Sequence, residues 1–164
     1  MGNQQGKATE VQLAWLAGFL DGEGCFDLQK GYAKQLKRES YRPRIRVVNT
    51  DEPTLAAVLK IMEAMGAGQH VSRRRAKQGH WSDSWEVTVA GFKKGLRFLL
   101  QIEPYLKTKS NRAKQLIEYA ESRLTDSPKR PFSEREITLI NQIRRKELRW
   151  NPQRLHATHG PLEP

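Results

Sequence analysis

Residues 16–24 read LAGFLDGEG, an apolar segment that runs directly into two acidic residues separated by one glycine. A helix start is signalled upstream, because Thr9 and Gln12 have the spacing of a capping box ahead of an apolar run. The glycines that close the stretch predict the end of this helix. The sequence therefore predicts an N-terminal helix whose C-terminal end carries the carboxylates of Asp21 and Glu23.

Small residues recur along the same helix. Ala14, Ala17 and Gly18 are spaced to share one face, so a second helix could approach more closely than the usual ~8–10 Å between axes. Together with Asp21 they predict a tight helix–helix contact. Acidic oxygen ligands at the end of such a contact suit a hard divalent cation such as Mg²⁺. The alternative is an ordinary amphipathic helix whose acids are solvated caps.

Two landmarks follow downstream in the chain. Residues 48–51, VNTD, precede a predicted helix that ends in the sequence MGAG at 65–68, and residues 104–109, PYLKTK, open another helix. With the nonapeptide at 16–24, this order resembles that of the LAGLIDADG homing endonucleases over roughly residues 9–125. The resemblance implies an α+β fold in which a saddle of antiparallel strands lies on helices. It also implies site-specific cleavage of double-stranded DNA.

The charge of the chain is consistent with a nucleic-acid partner. The net charge is +11, and the basic residues are clustered at 30–46, 73–77 and 107–114. A strongly basic protein with clustered charge favours a polyanion such as DNA over a merely soluble surface.

A period of two within residues 41–48 predicts a strand with one basic face. Arg42, Arg44 and Arg46 alternate with Ile45 and Val47, which we expect to face the core. A basic β-ribbon fits the major groove of DNA. The residues expected to contact DNA lie on this strand, on the strand before it and on a later hairpin: Gln29, Lys30, Arg42, Arg44, Arg46, Arg73, Arg74, Arg75, Glu86 and Thr88.

The chain holds one copy of the nonapeptide, whereas cutting two DNA strands needs two sets of acidic ligands. We therefore expect a homodimer formed through the small-residue faces of the motif helices. The resemblance implies the same assembly and a long pseudo-palindromic DNA site, in accord with the rule that a two-fold symmetric protein binds a two-fold symmetric target.

Residue roles follow from the resemblance. Glu23 matches the family's essential acid and Gly22 would offer its backbone carbonyl, both to Mg²⁺, with Mn²⁺ expected to substitute. Asn49, or Thr50 if the alignment shifts by one residue, would orient the attacking water. Lys109 matches a basic residue that stabilises charge on the scissile phosphate; an ordinary surface lysine is the alternative.

The remaining patterns predict the order of the elements. We expect strands over 25–30 and 41–48 joined by a charged connector over 31–40, a helix from Asp51 to Gly66, a hairpin of strands 70–75 and 85–90, and helices over 91–100 and 108–124. Residues 1–125 form the predicted core. Residues 126–132 are a predicted linker, and residues 133–164 a C-terminal extension with a helix to Leu148 and a loose tail.

The leading function is an Mg²⁺-dependent DNA endonuclease. Alternatives are an intron RNA maturase or a DNA-binding module on the same fold, but the acids Asp21 and Glu23 favour cleavage because pure binding does not need them. The lone Cys25 and the lack of an apolar run of ~20 residues predict a soluble intracellular protein without a membrane partner. The compartment would be an organelle (chloroplast or mitochondrion) or the bacterial cytoplasm.

Overall fold

The computed structural model describes residues 7–76, 79, 82–125 and 129–144. Within them the chain forms a four-stranded antiparallel sheet and five α-helices, which confirms the α+β prediction. The strands are β1 (Gly24–Ala33), β2 (Arg38–Asn49), β3 (His70–Arg74) and β4 (Ser84–Ala90). The helices are α1 (Glu10–Glu23), α2 (Glu52–Ala64), α3 (Phe92–Ile102), α4 (Ser110–Thr125) and α5 (Glu134–Arg144).

The sheet has the strand order β1-β2-β4-β3, and its two faces differ in character. The packed face lies on the helices: Phe26, Ile45, Val47, Val87 and Val89 on it are all buried. The opposite face, called here the open face, carries the intervening positions of each strand, among them the arginines at 42, 44 and 46. The alternation predicted from the sequence is confirmed.

The first two strands are longer than the sequence indicated. Residues 31–40 were expected to be a connector, yet β1 continues to Ala33 and β2 begins at Arg38, with only a short 3-10 turn over Lys34–Leu36 between them. Lys37 closes this turn in the left-handed conformation, at φ 48°. Apolar patterning stops at the edge of the core, but antiparallel backbone pairing continues beyond it, so the hairpin extends past the buried residues.

The helix that begins the predicted extension belongs to the core. Ser133 and Glu136 form the predicted capping box, and Leu139, Ile140 and Ile143 are buried in the same cluster as the sheet and α1. The described part of residues 133–164 is therefore not a separate appendage, because its apolar stripe packs against α4 and β1. The predicted helix end at Leu148 and the predicted tail lie outside the described residues.

The predicted linker at 126–132 also contributes to packing where it is described. The ring of Phe132 lies 6.0 Å from that of Tyr41, and the Arg38 guanidinium stacks over the Phe132 ring at 5.2 Å.

Among the described helices, none combines the length and hydropathy that crossing a bilayer requires.

Candidate active site and nucleic-acid interface

Helix α1 begins as the sequence predicts. Thr9 Oγ1 accepts the backbone N–H of Gln12, and the Gln12 side chain accepts the backbone N–H of Thr9. One face of the helix packs into the core through Leu16, Ala17 and Leu20, each with no exposed surface. The prediction that Ala17 forms part of a dimer contact is therefore wrong, because its methyl group is already buried within its own chain.

The opposite face of α1 is exposed and small or apolar. Apart from its own stretch of helix backbone, no atom of the described residues lies within 4 Å of a Cβ built at Gly18, and Ala14, one turn earlier, is exposed. Val11 and Trp15 extend the same surface and are 80% and 44% exposed. This surface, named here the α1 face, consists of Val11, Ala14, Trp15, Gly18 and Gly22. It keeps Ala14 and Gly18 from the predicted dimer contact and adds Val11, Trp15 and Gly22.

The junction between α1 and β1 requires glycine. A Cβ at Gly24 would lie 2.6 Å from the carbonyl oxygen of Leu20, closer than any real Cβ contact. The chain can therefore leave the helix and enter the sheet at once, which holds Glu23 at the boundary of the two elements.

Asp21 is bound within its own chain. Its carboxylate accepts hydrogen bonds from the backbone N–H of Lys107 at 2.7 Å, from that of Lys109 at 2.9 Å and from the Thr108 hydroxyl at 2.9 Å. Partial burial raises the pKa of this carboxyl, but the hydrogen bonds from Lys107, Lys109 and Thr108 outweigh burial and hold the pKa below its ordinary value. Asp21 thus joins the end of α1 to the segment that opens α4, and this accounts for an acid that was predicted at the dimer contact.

Lys109 lies at the same place. Its ammonium donates to the carbonyl oxygens of Leu20 at 2.8 Å, Asp21 at 2.5 Å and Gly22 at 3.5 Å. These carbonyls lie at the negative end of α1, where a cation is favoured, and that of Leu20 also accepts the backbone N–H of Gly24. The structure thereby places the predicted catalytic lysine beside the acidic end of α1 and fixes its position.

Glu23 is the one carboxylate at this end of α1 that stays exposed. Among the described residues it has no hydrogen-bond or ion-pair partner, and no group of three or more His, Cys, Asp or Glu side chains comes together to hold a metal. A single chain therefore brings one free carboxylate and the nearby Gly22 carbonyl to this point. A cleft of about 540 Å³ runs between β1 and the start of α4, lined by Asp27, Lys109 and Arg112 among others.

Asn49 reaches the same end of the sheet, since Val47, two residues before it, pairs with Gly24. Its side-chain oxygen accepts the backbone N–H of Asp51 at 2.9 Å, in the turn before α2. The Asn49 amide nitrogen has no hydrogen-bond partner among the described residues, so it can donate to a water molecule. The alternative residue, Thr50, is exposed at the next position.

The open face of the sheet carries a network of charges. Arg44 forms two hydrogen bonds to Asp27, directly across the β1–β2 ladder, both at 2.8 Å. Glu86 lies 2.5 Å from Arg74 and 3.7 Å from Arg46. Gln29, Arg42 and Thr88 occupy neighbouring positions of the same face. Seven of the ten predicted DNA contacts are therefore brought together here: Gln29, Arg42, Arg44, Arg46, Arg74, Glu86 and Thr88.

Three predicted contacts lie elsewhere. Lys30 pairs with Tyr41 in the ladder, which puts it on the packed face, where its ammonium forms an ion pair with Glu39. Arg73 is opposite Trp85, also on the packed face, and stacks 5.7 Å from that ring. Arg75 follows the end of β3 and is exposed. For Lys30 and Arg73 the physical reason is the period of two, which sends adjacent residues of a strand to opposite faces.

Comparison with known proteins now gives the family. The model of the LAGLIDADG-like domain matches residues 10–103, which is more than half of the chain. The chain belongs to the LAGLIDADG homing endonuclease family. A comparison with curated proteins gives no significant match.

Solved structures of this family share the fold. The homing endonuclease I-CvuI in complex with its target is 23% identical with a TM-score of 0.59, over 81% of this chain and 80% of that chain. The archaeal intron-encoded homing endonuclease I-Vdi141I complexed with DNA is 13% identical with a TM-score of 0.63, over 90% and 94%. The homing endonuclease I-TnaI is 17% identical with a TM-score of 0.61, over 88% and 93%.

One residue of this LAGLIDADG protein's open face was missed by sequence reasoning. Asp27 lies between Phe26 and Leu28 in the predicted strand over 25–30, and its carboxylate was not among the expected DNA contacts. Its signal was present in the spacing: on an antiparallel hairpin a carboxylate on the same face as a row of arginines pairs with one of them.

Proposed function

We propose that this protein is a site-specific DNA endonuclease that acts as a homodimer and makes a double-strand break in a long pseudo-palindromic site. The observation that carries the proposal is the end of α1, where an exposed Glu23 stands beside an ammonium group, that of Lys109, fixed on the helix carbonyls. An acid and a fixed cation at one point are what hydrolysis of a phosphodiester requires.

The donor set fits Mg²⁺ best when two chains are combined. Each chain has one free carboxylate here, because Asp21 is engaged by the segment that opens α4. Mg²⁺ is typically held by one or two carboxylates and several waters, so two copies of Glu23 with the Gly22 carbonyls would suffice, and Mn²⁺ would substitute. When bound, the ion would lower the pKa of a water molecule and neutralise charge on the phosphate.

The chain's own residues then have separate roles. Glu23 holds the ion, and the Lys109 ammonium offsets the negative charge that builds up on the scissile phosphate. The Asn49 amide nitrogen, or the Thr50 hydroxyl, donates a hydrogen bond that orients the attacking water.

The α1 face supports the homodimer. It is apolar and exposed, and its centre is a glycine that lets two helix backbones approach closely. Two copies of this face around a dyad would bring both Glu23 side chains together.

The open face supports DNA binding. It carries Arg42, Arg44, Arg46 and Arg74, and a two-stranded ribbon of this kind fits the major groove. I-CvuI and I-Vdi141I were solved in complex with DNA. Their identity to this chain is low, but the charge and shape of this sheet independently suit DNA.

The test is a cleavage selection. A plasmid library that carries random segments is incubated with the full chain and Mg²⁺, and linearised molecules are sequenced. We expect one family of two-fold symmetric sites, and Glu23→Gln should bind those sites while it no longer cuts them. Binding without cleavage by the wild type would make the protein a DNA-binding module, and RNA binding alone would favour the maturase function.

A further inference from the structure

Arg44 is held differently from the other arginines of the open face. Its Nε donates to Asp27 Oδ1 and its Nη2 to Asp27 Oδ2, both at 2.8 Å, in a side-on pair across the ladder. Arg46, by contrast, lies 3.7 Å from both Asp27 and Glu86. Among the described arginines of the open face, Arg44 alone has its guanidinium plane fixed by two short hydrogen bonds.

Side-on pairing leaves one edge of the guanidinium unused. It engages Nε and one N–H of Nη2, so Nη1 and the second N–H of Nη2 remain as donors. Among the described residues Nη1 has no hydrogen-bond partner, and the Arg44 side chain is 25% exposed. Because the plane is already fixed, little rotamer entropy remains to be lost when this edge binds a ligand.

The free edge selects among the bases by its chemistry. It presents two donors and no acceptor, and guanine is the base that shows two acceptors, N7 and O6, in the major groove. Adenine shows one acceptor and one donor there, while cytosine shows a donor. The Asp27 carboxylate also neutralises the arginine's charge, so this residue adds little to sequence-independent attraction by phosphates.

We propose that Arg44 reads one guanine in each half-site and that Asp27 is the positioning residue that sets this preference. The inference rests on the proposed function, in that the open face must lie in the major groove. It goes further by assigning a base to one arginine and by giving an acidic residue a role in specificity.

The experiment begins with selection of bound sequences from random duplex DNA, with Ca²⁺ in place of Mg²⁺ so that the DNA stays intact. Dissociation constants are then measured for all four bases at each position of the selected site. We expect one position per half-site at which guanine is preferred, and Arg44→Ala should abolish that preference. Asp27→Asn should reduce the preference at the same position by about tenfold or more.

The affinity for unselected DNA separates positioning from a general loss of structure. Asp27→Asn removes a negative charge, so binding to random duplex should hold or tighten while guanine discrimination falls. A misfolded variant would lose both. In the Arg44→Ala background Asp27→Asn should have no further effect on base preference.

Glu39→Gln is the matched control. Glu39 pairs with Lys30 across the same two strands but on the packed face, so its loss should leave base preference unchanged. The proposal is wrong if Asp27→Asn keeps the full preference, if it alters a different position from Arg44→Ala, or if the base read there is not guanine. Failure of the wild type to select any sequence would instead overturn the proposed function, and this inference with it.

Discussion

Asp21 and Lys109 are joined twice, in opposite directions. The backbone N–H of Lys109 donates to the Asp21 carboxylate at 2.9 Å, and the Lys109 ammonium donates to the Asp21 carbonyl oxygen at 2.5 Å. The first bond places an anion before the N-terminus of α4, and the second places a cation at the C-terminus of α1. Both arrangements are favourable for helix dipoles, so one pair of residues fixes two helix ends and the side chain of Lys109, the proposed catalytic lysine.

Asp21→Asn should weaken this junction. The amide removes the charge and replaces one acceptor oxygen with a donor that faces other donors, so we expect a loss of about 2 kcal/mol in the free energy of unfolding. Cleavage should fall as well, although Glu23 is intact, because the segment that carries Lys109 is released. Urea denaturation and cleavage assays measure the two effects. Thr108→Val removes one bond to the same carboxylate and should cost less; equal stability for Asp21→Asn and the wild type would contradict the argument.

Lys109→Met should affect catalysis rather than binding. The apolar side chain keeps the length but leaves no charge to stabilise the phosphate, so we expect the cleavage rate to fall on the order of 10²-fold. The matched control is Lys107→Met, since the Lys107 side chain is exposed and only its backbone N–H is engaged at Asp21. Single-turnover cleavage and DNA affinity are measured for both variants. Equal losses of rate in the two would mean that Lys109 acts as an ordinary surface charge.

Much of the fold could be predicted because local signals agreed with the tertiary structure. The capping boxes at Thr9 and Ser133 and the cap at Asp51 mark real helix starts, and alternation fixed the faces of β2 and β4. The strand ends in the β1–β2 hairpin could not be predicted, since pairing there depends on the partner strand and not on apolar residues.

Individual residues of the candidate site could be named from the sequence, but the hydrogen bonds between them could not. A motif gives the position of Glu23 and Lys109, whereas the ties between Asp21 and residues 107–109 join segments more than 80 positions apart in the sequence. The misplacement of Ala17 has a similar cause. Three small residues on a helix indicate that a close approach is made, but only the packed fold shows which of them meets its own chain.

Glu136 predicts how stability depends on pH. It is fully buried and accepts hydrogen bonds from Arg130, Ser122 and the backbone of Ser133. Burial raises its pKa, but the hydrogen bonds outweigh burial and lower the pKa from 4.5 to about 2. As the pH falls, the unfolded chain takes up this proton first, so the stabilisation is present in full above pH 4.5 and is lost between 4.5 and about 2.

Glu136→Gln should therefore destabilise the protein at neutral pH by about 3–5 kcal/mol, because it removes the buried carboxylate that pairs with Arg123 and Arg130, and should flatten the acid limb of the stability profile. Urea denaturation at several pH values measures both effects. Glu118→Gln is the matched control: it breaks an exposed pair with Arg135 between the same two helices and should cost less than about 1 kcal/mol. Similar costs for the two variants would show that the buried Glu136 carboxylate contributes no more to stability than an exposed ion pair does.

Gly18→Leu separates the stability of the chain from its assembly. Apart from its own stretch of helix backbone, a Cβ at Gly18 contacts no atom of the described residues within 4 Å, and a leucine has a higher helix propensity than glycine, so each monomer should gain about 0.8–1 kcal/mol. The same side chain would block the close approach of two α1 faces, so the dimer and DNA cleavage should be lost together. Sedimentation and cleavage assays on the variant test this, with Asn141→Leu as the control that adds the same side chain to the exposed face of α5. If the Gly18→Leu protein sedimented as a dimer and still cut DNA, the α1 face could not be the contact between subunits. The second carboxylate of the proposed metal site would then have to come from another part of the protein.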